Sequence, residues 1–226
     1  MENLVNTLLP NFERLSEEFY SSLLDTLIMV LVSGTIAWVL GVVIGVLLVV
    51  CKKGGILENR FVYIFFDRAI DVLRAIPFII LMVLLIPLSR AIVGTGSGLT
   101  GSFVALIFGT VPFFSRQIES VLSHLDSGLI EASKAMGLRP LEIIFGVYLR
   151  ESIPGITRVT MITFVSFIGI TAIAGAIGAG GIGDFAIRYG YQMGYRDMIW
   201  LVVAVVLLII SIVQGIGKLI IKKTTF

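Results

Sequence analysis

Charged side chains at the start of an apolar stretch are the first residues whose types and spacing could do chemistry. Asp67, Asp71 and Arg74 follow one another along the chain, with Arg68 beside them. In a helix these intervals place acids and base on one face, where they can pair. We favour an ordinary ion pair that reaches water at the helix end. A salt-bridged gate that includes Asp71 and Arg74 stays open as a second interpretation, because ionisable groups in membrane helices are often functional.

A glycine-rich segment matches a nucleotide-binding fingerprint, but its context argues against that chemistry. Residues 178–183 read GAGGIG and satisfy G-x-G-x-x-G, a motif that requires a strand before it and a helix after it. Here an apolar stretch of helical length precedes the glycines, so we interpret them as allowing close helix approach or a helix break. The sequence has no G-x-x-x-x-G-K-[ST] motif either, so energy from ATP would have to come from a partner.

The remaining reactive residue types are too few for a metal or redox centre. The chain contains one histidine, His124, and one cysteine, Cys51. A structural zinc site needs about four Cys, His or acidic ligands together. We therefore predict that this chain binds no metal and no cofactor and is not itself an enzyme. Its net charge of +2 gives no reason to expect a nucleic-acid partner.

The elements that position these residues are predicted to be membrane-spanning helices. The chain has 226 residues, of which 57% are hydrophobic and 14% charged, whereas a soluble domain carries about 25% charged residues. A helix needs roughly 20 mostly apolar residues to cross a bilayer core. Five stretches meet this length: 27–50, 61–93, 99–122, 159–179 and 201–221. We predict an all-α integral membrane protein with five transmembrane helices, formed as a single domain over residues 1–226.

The orientation in the membrane follows from the distribution of lysine and arginine. With the N-terminus outside and the C-terminus inside, 13 of the 17 basic residues lie on the cytoplasmic side and 4 outside. Cytoplasmic loops normally carry this excess, so we predict the N-out, C-in arrangement. The acidic segment around Glu13, Glu17 and Glu18 is then expected on the outer surface as a short helix.

The segment 117–157, called the elbow below, is the only sizeable cytoplasmic element in this arrangement. Residues 129–136 form a compact amphipathic stretch that Gly137 can end in a left-handed conformation. Pro140 can open a second short helix at its first turn. Exposed apolar residues on such an elbow indicate a partner surface, although a helix that lies on the membrane is an alternative.

The elbow also carries a known motif. Residues 131–137 read EASKAMG and resemble the EAA motif of ABC-importer permeases, which is Glu-Ala-Ala, three residues, Gly, nine residues, Ile, one residue and Leu-Pro. Ser133 stands for the second alanine and Val147 for the isoleucine. Arg150 stands where the family has proline, so we expect Pro154 to supply the start of the next helix instead.

The resemblance extends over most of the chain, and it is most specific to one subfamily of these permeases. Residues 74–80, 92–95, 128–137, 175–183 and 189–191 resemble those of methionine-importer permeases. This likeness implies the type I ABC importer permease fold, multi-pass insertion in the cytoplasmic membrane of a bacterium, and transport of methionine.

The resemblance also implies partners and site residues. In this family a second copy completes the path, two cytosolic ATP-binding subunits hold ATP and Mg²⁺, and an extracytoplasmic binding protein or lipoprotein delivers the substrate. The residues expected to dock the ATPase are Glu131, Ala132, Ser133, Ala135, Met136 and Gly137. Apart from the resemblance, Asp71 and Arg74 are the candidate gate described above, and Met161, Phe164, Ser166 and Ile173 are the residues expected to line the path.

Two alternative functions remain at this stage. The first is an importer permease for another amino acid or a small polar solute. The second is a secondary transporter that works alone, but such a protein needs acids or histidines within its spans, and the middle of these apolar stretches has none.

Overall fold

The structure is a computed structural model that describes residues 9–224. In this part of the chain the backbone is helical and forms no strand, which confirms the predicted all-α class. The helices in chain order are α1 (Phe12–Cys51), α2 (Arg60–Ala75), α3 (Phe78–Leu84), α4 (Ile86–Val93), α5 (Gly98–Ser123), α6 (Ser127–Ala135), α7 (Pro140–Ile143), α8 (Ile153–Ala174), α9 (Gly181–Phe185) and α10 (Arg196–Thr224). Three π-helical segments, Ile144–Leu149, Gly175–Ala179 and Ala186–Gln192, continue α7, α8 and α9.

Among the described residues, 4 helices are long and apolar enough to cross a membrane: α1, α5, α8 with its continuation to Ala179, and α10. They contain four of the predicted stretches. The stretch 61–93, predicted as one span, is divided into α2, α3 and α4. The count of five spans and the N-out orientation stay predictions.

Two prolines account for the division of the 61–93 stretch. Ile76, which precedes Pro77, has the extended angles φ −84° and ψ 122°, because proline disfavours the helical conformation of the residue before it. Pro77 then stands at the N-cap of α3. Pro87 lies in the first turn of α4, where its missing N–H leaves no helical hydrogen bond unmade.

The acidic segment near the N-terminus is not a separate helix. Helix α1 begins at Phe12 and continues without a break to Cys51 over 40 residues, so the predicted short surface helix is wrong. No glycine or proline lies between residues 12 and 33 to stop the helix. Glu13 lies in its first turn, where a negative charge interacts favourably with the helix dipole.

The chain groups into two compact units, and the described part of the first consists of residues 9–35, Pro77–Ile107 and Phe164–Val213. One of its apolar clusters joins Leu15 and Phe19 of α1 to Phe185 of α9 and Met198 of α10. Two polar contacts reinforce this packing. The Thr26 hydroxyl accepts a hydrogen bond from the Ile182 N–H at 2.8 Å, and Asp197 accepts two bonds from Asn11, both at 3.0 Å.

The glycine-rich segment 178–183 lies in this first unit, between helices. Helix α8 precedes it, the continuation of α8 overlaps its start and α9 overlaps its end, while Ile177 and Gly178 have non-helical backbone angles. The segment is therefore a break between two helices, as one of the two sequence interpretations expected. It does not follow a strand, which a dinucleotide fingerprint requires.

The second unit consists of residues Ile36–Ile76, Phe108–Thr163 and, as far as described, 214–224. Its apolar cluster contains Val46, Val49 and Val50 of α1 and Phe114, Ile118 and Leu122 of α5. Side chains of the elbow complete the same cluster. This unit therefore contains the elbow together with the helices that support it.

Helices α1 and α5 approach each other closely in the second unit at a pair of glycines. A Cβ atom added at Gly45 would lie 2.6 Å from the Ile118 Cβ and 2.9 Å from the Ser115 carbonyl oxygen. One turn earlier, a Cβ at Gly41 would lie 2.5 Å from the Phe114 ring. The two glycines form a G-x-x-x-G pattern, which lets membrane helices pack backbone to backbone.

We predict that Gly45→Ala lowers the stability of the purified protein by about 1–3 kcal/mol, because the new methyl group meets a backbone oxygen that cannot move aside. Gly215→Ala is the matched control, since nothing lies within 4 Å of a Cβ at Gly215 in α10. Thermal unfolding in detergent checks both variants. Equal unfolding temperatures for the two would contradict the close α1–α5 packing.

Candidate functional site

The elbow is built as two short helices joined by a tight turn. The Asp126 carboxylate accepts a hydrogen bond from the Gly128 N–H at 2.8 Å and so caps the start of α6. After the turn that follows α6, the Glu142 carboxylate accepts a hydrogen bond from the Arg139 N–H at 2.7 Å, and Pro140 begins α7. These caps satisfy backbone donors that a helix start leaves free.

Gly137 ends α6 in the conformation that the sequence predicts. Its φ is +79°, a left-handed angle that costs an L side chain about 1–2 kcal/mol. The Gly137 N–H donates to the Lys134 carbonyl at 2.9 Å, and the Leu138 N–H donates to the Ser133 carbonyl at 3.2 Å. This pair of bonds is a Schellman motif, which closes the helix and reverses the chain direction.

The inner side of the elbow is fixed to the core of the second unit. Ile130 of α6, Ile143 and Ile144 after the turn, and Tyr148 beyond them are all buried in the cluster formed with α1 and α5. Burial raises the pKa of the Tyr148 phenol above its usual range, so this ring stays neutral at physiological pH. The elbow is therefore a rigid extension of the helices beneath it.

The outer side of the elbow carries small and apolar side chains that reach solvent. Of the residues predicted to dock a partner, Glu131, Ala132, Ala135, Met136 and Gly137 are exposed, Met136 by 72%. Large apolar neighbours that the predicted set omitted extend this surface: Leu129, Leu138, Leu141 and Phe145. Their exposure gives the elbow an apolar face of the kind that marks a protein contact.

Ser133 is the exception among the predicted docking residues. Its side chain is only 3% exposed, and its hydroxyl donates to the Leu129 carbonyl at 2.7 Å. Ser133 was predicted to contact a partner because it lies within the motif. However, Ser133 follows the buried Ile130 by three residues, so it lies on the same face of α6 and points toward the core. It supports the elbow and does not present a contact.

An ion-pair cluster joins α2 to α5 in the same unit. The Arg116 guanidinium contacts Asp67 at 2.6 Å, Asp71 at 2.8 Å and Glu119 at 2.8 Å. It also donates to the Asp67 carbonyl at 3.3 Å. Since Arg116 and Asp67 are each less than a quarter exposed, this cluster is partly shielded from water.

The cluster corrects the partner expected for Asp71. The sequence grouped Asp71 with Arg74 on one helix face, but the ion-pair partner of Asp71 is Arg116. Arg74 lies in the last turn of α2, is exposed, and makes no ion pair with any residue from 9 to 224. Sequence reasoning missed Arg116 and Glu119 as site residues, although an arginine that ends an uncharged run was a visible signal. A gating role stays a prediction.

The other predicted path residues all lie along α8. Met161, in the second unit, packs directly against Gly217 of α10. In the first unit, Phe164 is half-buried, whereas Ser166 and Ile173 are exposed. Their lining role is not tested by this arrangement.

The candidate metal ligands also stay apart. Between residues 9 and 224 no three His, Cys, Asp or Glu side chains form a group that could hold a metal ion. The His124 imidazole is exposed, and its Nδ1 lies 2.6 Å from the Ser120 carbonyl oxygen. Its surroundings are those of a solvated histidine at the end of α5.

Several membrane-length helices and a packed elbow with an exposed apolar face are the features expected of a transport permease. The family described as "Binding-protein-dependent transport system inner membrane component" matches residues 39–225. The chain belongs to this family. It is thus an inner-membrane component of a bacterial ABC importer, which confirms the predicted location.

Two curated relatives align with most of the chain. It is 37% identical over 218 residues to the probable D-methionine transport system permease protein MetI of Vibrio cholerae, covering 96% of this chain and 97% of that protein. It is 39% identical over 174 residues to the methionine import system permease protein MetP of Bacillus subtilis, covering 77% and 78%.

Solved structures confirm the type I importer permease fold. The structure described as "Inward facing conformations of the MetNI methionine ABC transporter" (selenomethionine soak form) has a chain that matches with a TM-score of 0.89 and 36% identity, covering 95% of this chain and 99% of that one. An amino acid ABC transporter crystallised with histidines matches with a TM-score of 0.76 at 18% identity over 95% and 98%, a likeness that concerns the fold alone.

We predict that Arg116 and Asp67 are strongly linked in energy, whereas Arg74 and Asp71 are linked only weakly. A double-mutant cycle with Arg116→Gln and Asp67→Asn should give an interaction free energy of about 1–3 kcal/mol, because the two side chains are partly shielded and Asp67 has Arg116 as its ion-pair partner. The cycle of Arg74→Gln with Asp71→Asn is the control and should be additive within about 0.5 kcal/mol. Unfolding in detergent measures both interaction free energies. A value above about 1 kcal/mol for Arg74 and Asp71 would show that these two residues pair, as the sequence suggested, and would contradict the prediction.

Proposed function

We propose that this chain is the permease subunit of an ATP-driven methionine importer and forms the path for its substrate. The observation that carries the proposal is the elbow, whose inner side is buried in the helix core and whose outer side exposes Leu129, Met136 and Phe145. The relatives named for methionine transport support the choice of substrate.

The elbow transmits movement because it is attached on one side only. An ATP-binding subunit that covers the exposed apolar face removes it from water, which favours association by roughly 25 cal/mol per Å² of apolar area. Its small residues, such as Ala132 and Ala135, allow the partner backbone to approach closely. When two ATP-binding subunits close on ATP, each moves an elbow, and the elbow moves α1 and α5, against which it is packed.

The chain contributes the path and the partner contributes the energy. It has no P-loop sequence, so ATP and Mg²⁺ are held by the cytosolic subunits and this chain has no catalytic role. One copy is too small to enclose a path, and a second copy completes it. An extracytoplasmic binding protein delivers the substrate, and transport is a shift between inward-open and outward-open states that ATP biases.

A permease for another amino acid is the second candidate. The fold likeness to an amino acid ABC transporter crystallised with histidines is compatible with a family fold that carries different substrates. Identity to the methionine relatives is about twice as high, which favours methionine.

We predict that Ala132→Arg lowers the amount of ATP-binding subunit that copurifies with the tagged permease by at least roughly tenfold, because the change puts an unpaired charge into an apolar contact. Ser120→Arg is the control, since it adds the same side chain at an exposed position of α5 in the same unit. Undiminished copurification with Ala132→Arg would rule out this face as the docking surface.

Uptake by the reconstituted complex tests the substrate and the energy source separately. Proteoliposomes that contain ATP should accumulate radiolabelled methionine, and unlabelled methionine should compete while histidine and glutamine should not. If histidine competes as strongly as methionine, the assignment of methionine as the substrate is wrong, but the assignment as an ATP-driven importer still holds. Accumulation without ATP would contradict the importer class itself and point to a secondary transporter.

A further inference from the structure

Two neighbouring cavities lie along one side of α2 in the second unit. The first, of about 530 Å³, is lined by Cys51, Lys53, Glu58, Arg60, Tyr63 and Ile64. The second is an open groove of about 640 Å³ along the apolar surface of the helix, from Phe61 to Leu73. Ile64 borders both, so a polar cavity continues directly into an apolar groove.

The polar cavity has two cations without a partner. Neither the Lys53 ammonium nor the Arg60 guanidinium makes a side-chain hydrogen bond or ion pair with any described residue, from 9 to 224. Glu58, the one acid in the lining, already accepts the Gly54 N–H at 2.9 Å. Lys52 points elsewhere and donates to the Ser123 hydroxyl at 3.4 Å. The cavity therefore has positive charge that is available to an anion.

The groove below it is apolar and uncovered. Phe61 is 80% exposed, Phe65 60% and Val72 61%, and their spacing places all three along one face of the helix. Arg68, also exposed, lies on the same face. The other sides of α2 are occupied, since Val62 and Tyr63 pack against the core cluster and Asp67 pairs with Arg116.

We propose that this side of α2 binds an anionic phospholipid, with the phosphate between Lys53 and Arg60 and an acyl chain along Phe61, Phe65 and Val72. Basic pockets beside membrane helices hold anionic head groups, and an arginine can contact a phosphate through two parallel N–H bonds. From Arg60 to Val72 the helix rises about 18 Å, comparable with half of a bilayer core about 30 Å thick. The dimensions therefore suit a lipid that stays in its own leaflet.

Lipid retention by the assembled importer tests the site. The purified complex is incubated with mixed micelles of detergent and dioleoyl phosphatidylglycerol or dioleoyl phosphatidylcholine, and bound lipid is counted by native mass spectrometry. The wild type should retain phosphatidylglycerol in preference to phosphatidylcholine. The double variant Lys53→Gln/Arg60→Gln should bind phosphatidylglycerol at least roughly tenfold more weakly, because each basic group contributes to anionic-lipid attraction.

A charge-matched variant controls for the loss of two cations. Lys222→Gln/Lys223→Gln removes the same charge from the end of α10, and neither residue lines the two cavities. This variant should retain as much phosphatidylglycerol as the wild type. Only variants whose unfolding temperature in detergent equals that of the wild type are compared. Equal loss of phosphatidylglycerol in both double variants would overturn the proposal, because the attraction would then be general.

Two further measurements separate the lipid from other occupants. Phe65→Ser should weaken retention of phosphatidylglycerol, whereas glycerol phosphate alone should neither bind nor compete. Competition by glycerol phosphate would show a soluble anion site and contradict the lipid. If Lys53→Gln/Arg60→Gln instead lowers the fraction of permease dimer and leaves lipid retention unchanged, a second copy covers the groove and the proposal is wrong.

Discussion

The burial of the elbow's inner side against α1 and α5 is the contact on which the docking surface depends. Helix α6 has 9 residues, fewer than the roughly 12–15 that an isolated helix needs to persist in water. Its shape is therefore maintained by tertiary packing. Ile130, Ile143 and Ile144 are exposed by only 8%, 2% and 8% in the cluster, and a fully buried isoleucine contributes about 1.5–3 kcal/mol. Together they stabilise a projection that its backbone bonds alone would not hold.

This packing also explains why the motif combines small residues with one glycine. Ser133 faces inward, where a larger side chain would separate α6 from the core, and its hydroxyl is satisfied within its own helix. The Gly137 turn reverses the chain, so that Ile143 returns to the same cluster as Ile130. Ala132 and Met136 are left outward on the opposite side. The motif thus specifies both the face of the elbow that packs on the core and the face that is exposed to solvent.

The long helices and the turn of the elbow could be predicted from the sequence because both are local properties. Apolar runs of membrane length appear as α1, α5, α8 and α10, and Gly137 and Pro140 act within their own turn. The division of 61–93 is local as well, because Pro77 disfavours the helical conformation of the residue before it. The partner of Asp71 was missed because it is not local. Arg116 lies 45 residues further along the chain, and only packing brings the two together.

The Arg116 cluster bears on where such a permease can open. One guanidinium faces three carboxylates, and Asp71, with a side chain 55% exposed, is the one best able to share its charge with water. Separation of α2 from α5 would leave Asp67 as a partly buried charge without its partner and Arg116 with Glu119 alone, which costs several kcal/mol. The two helices therefore move together. A lipid bound to the exposed face of α2 would move with both of them. A path that opens within one chain between α2 and α5 is disfavoured for this reason, and opening between two copies breaks none of these ion pairs.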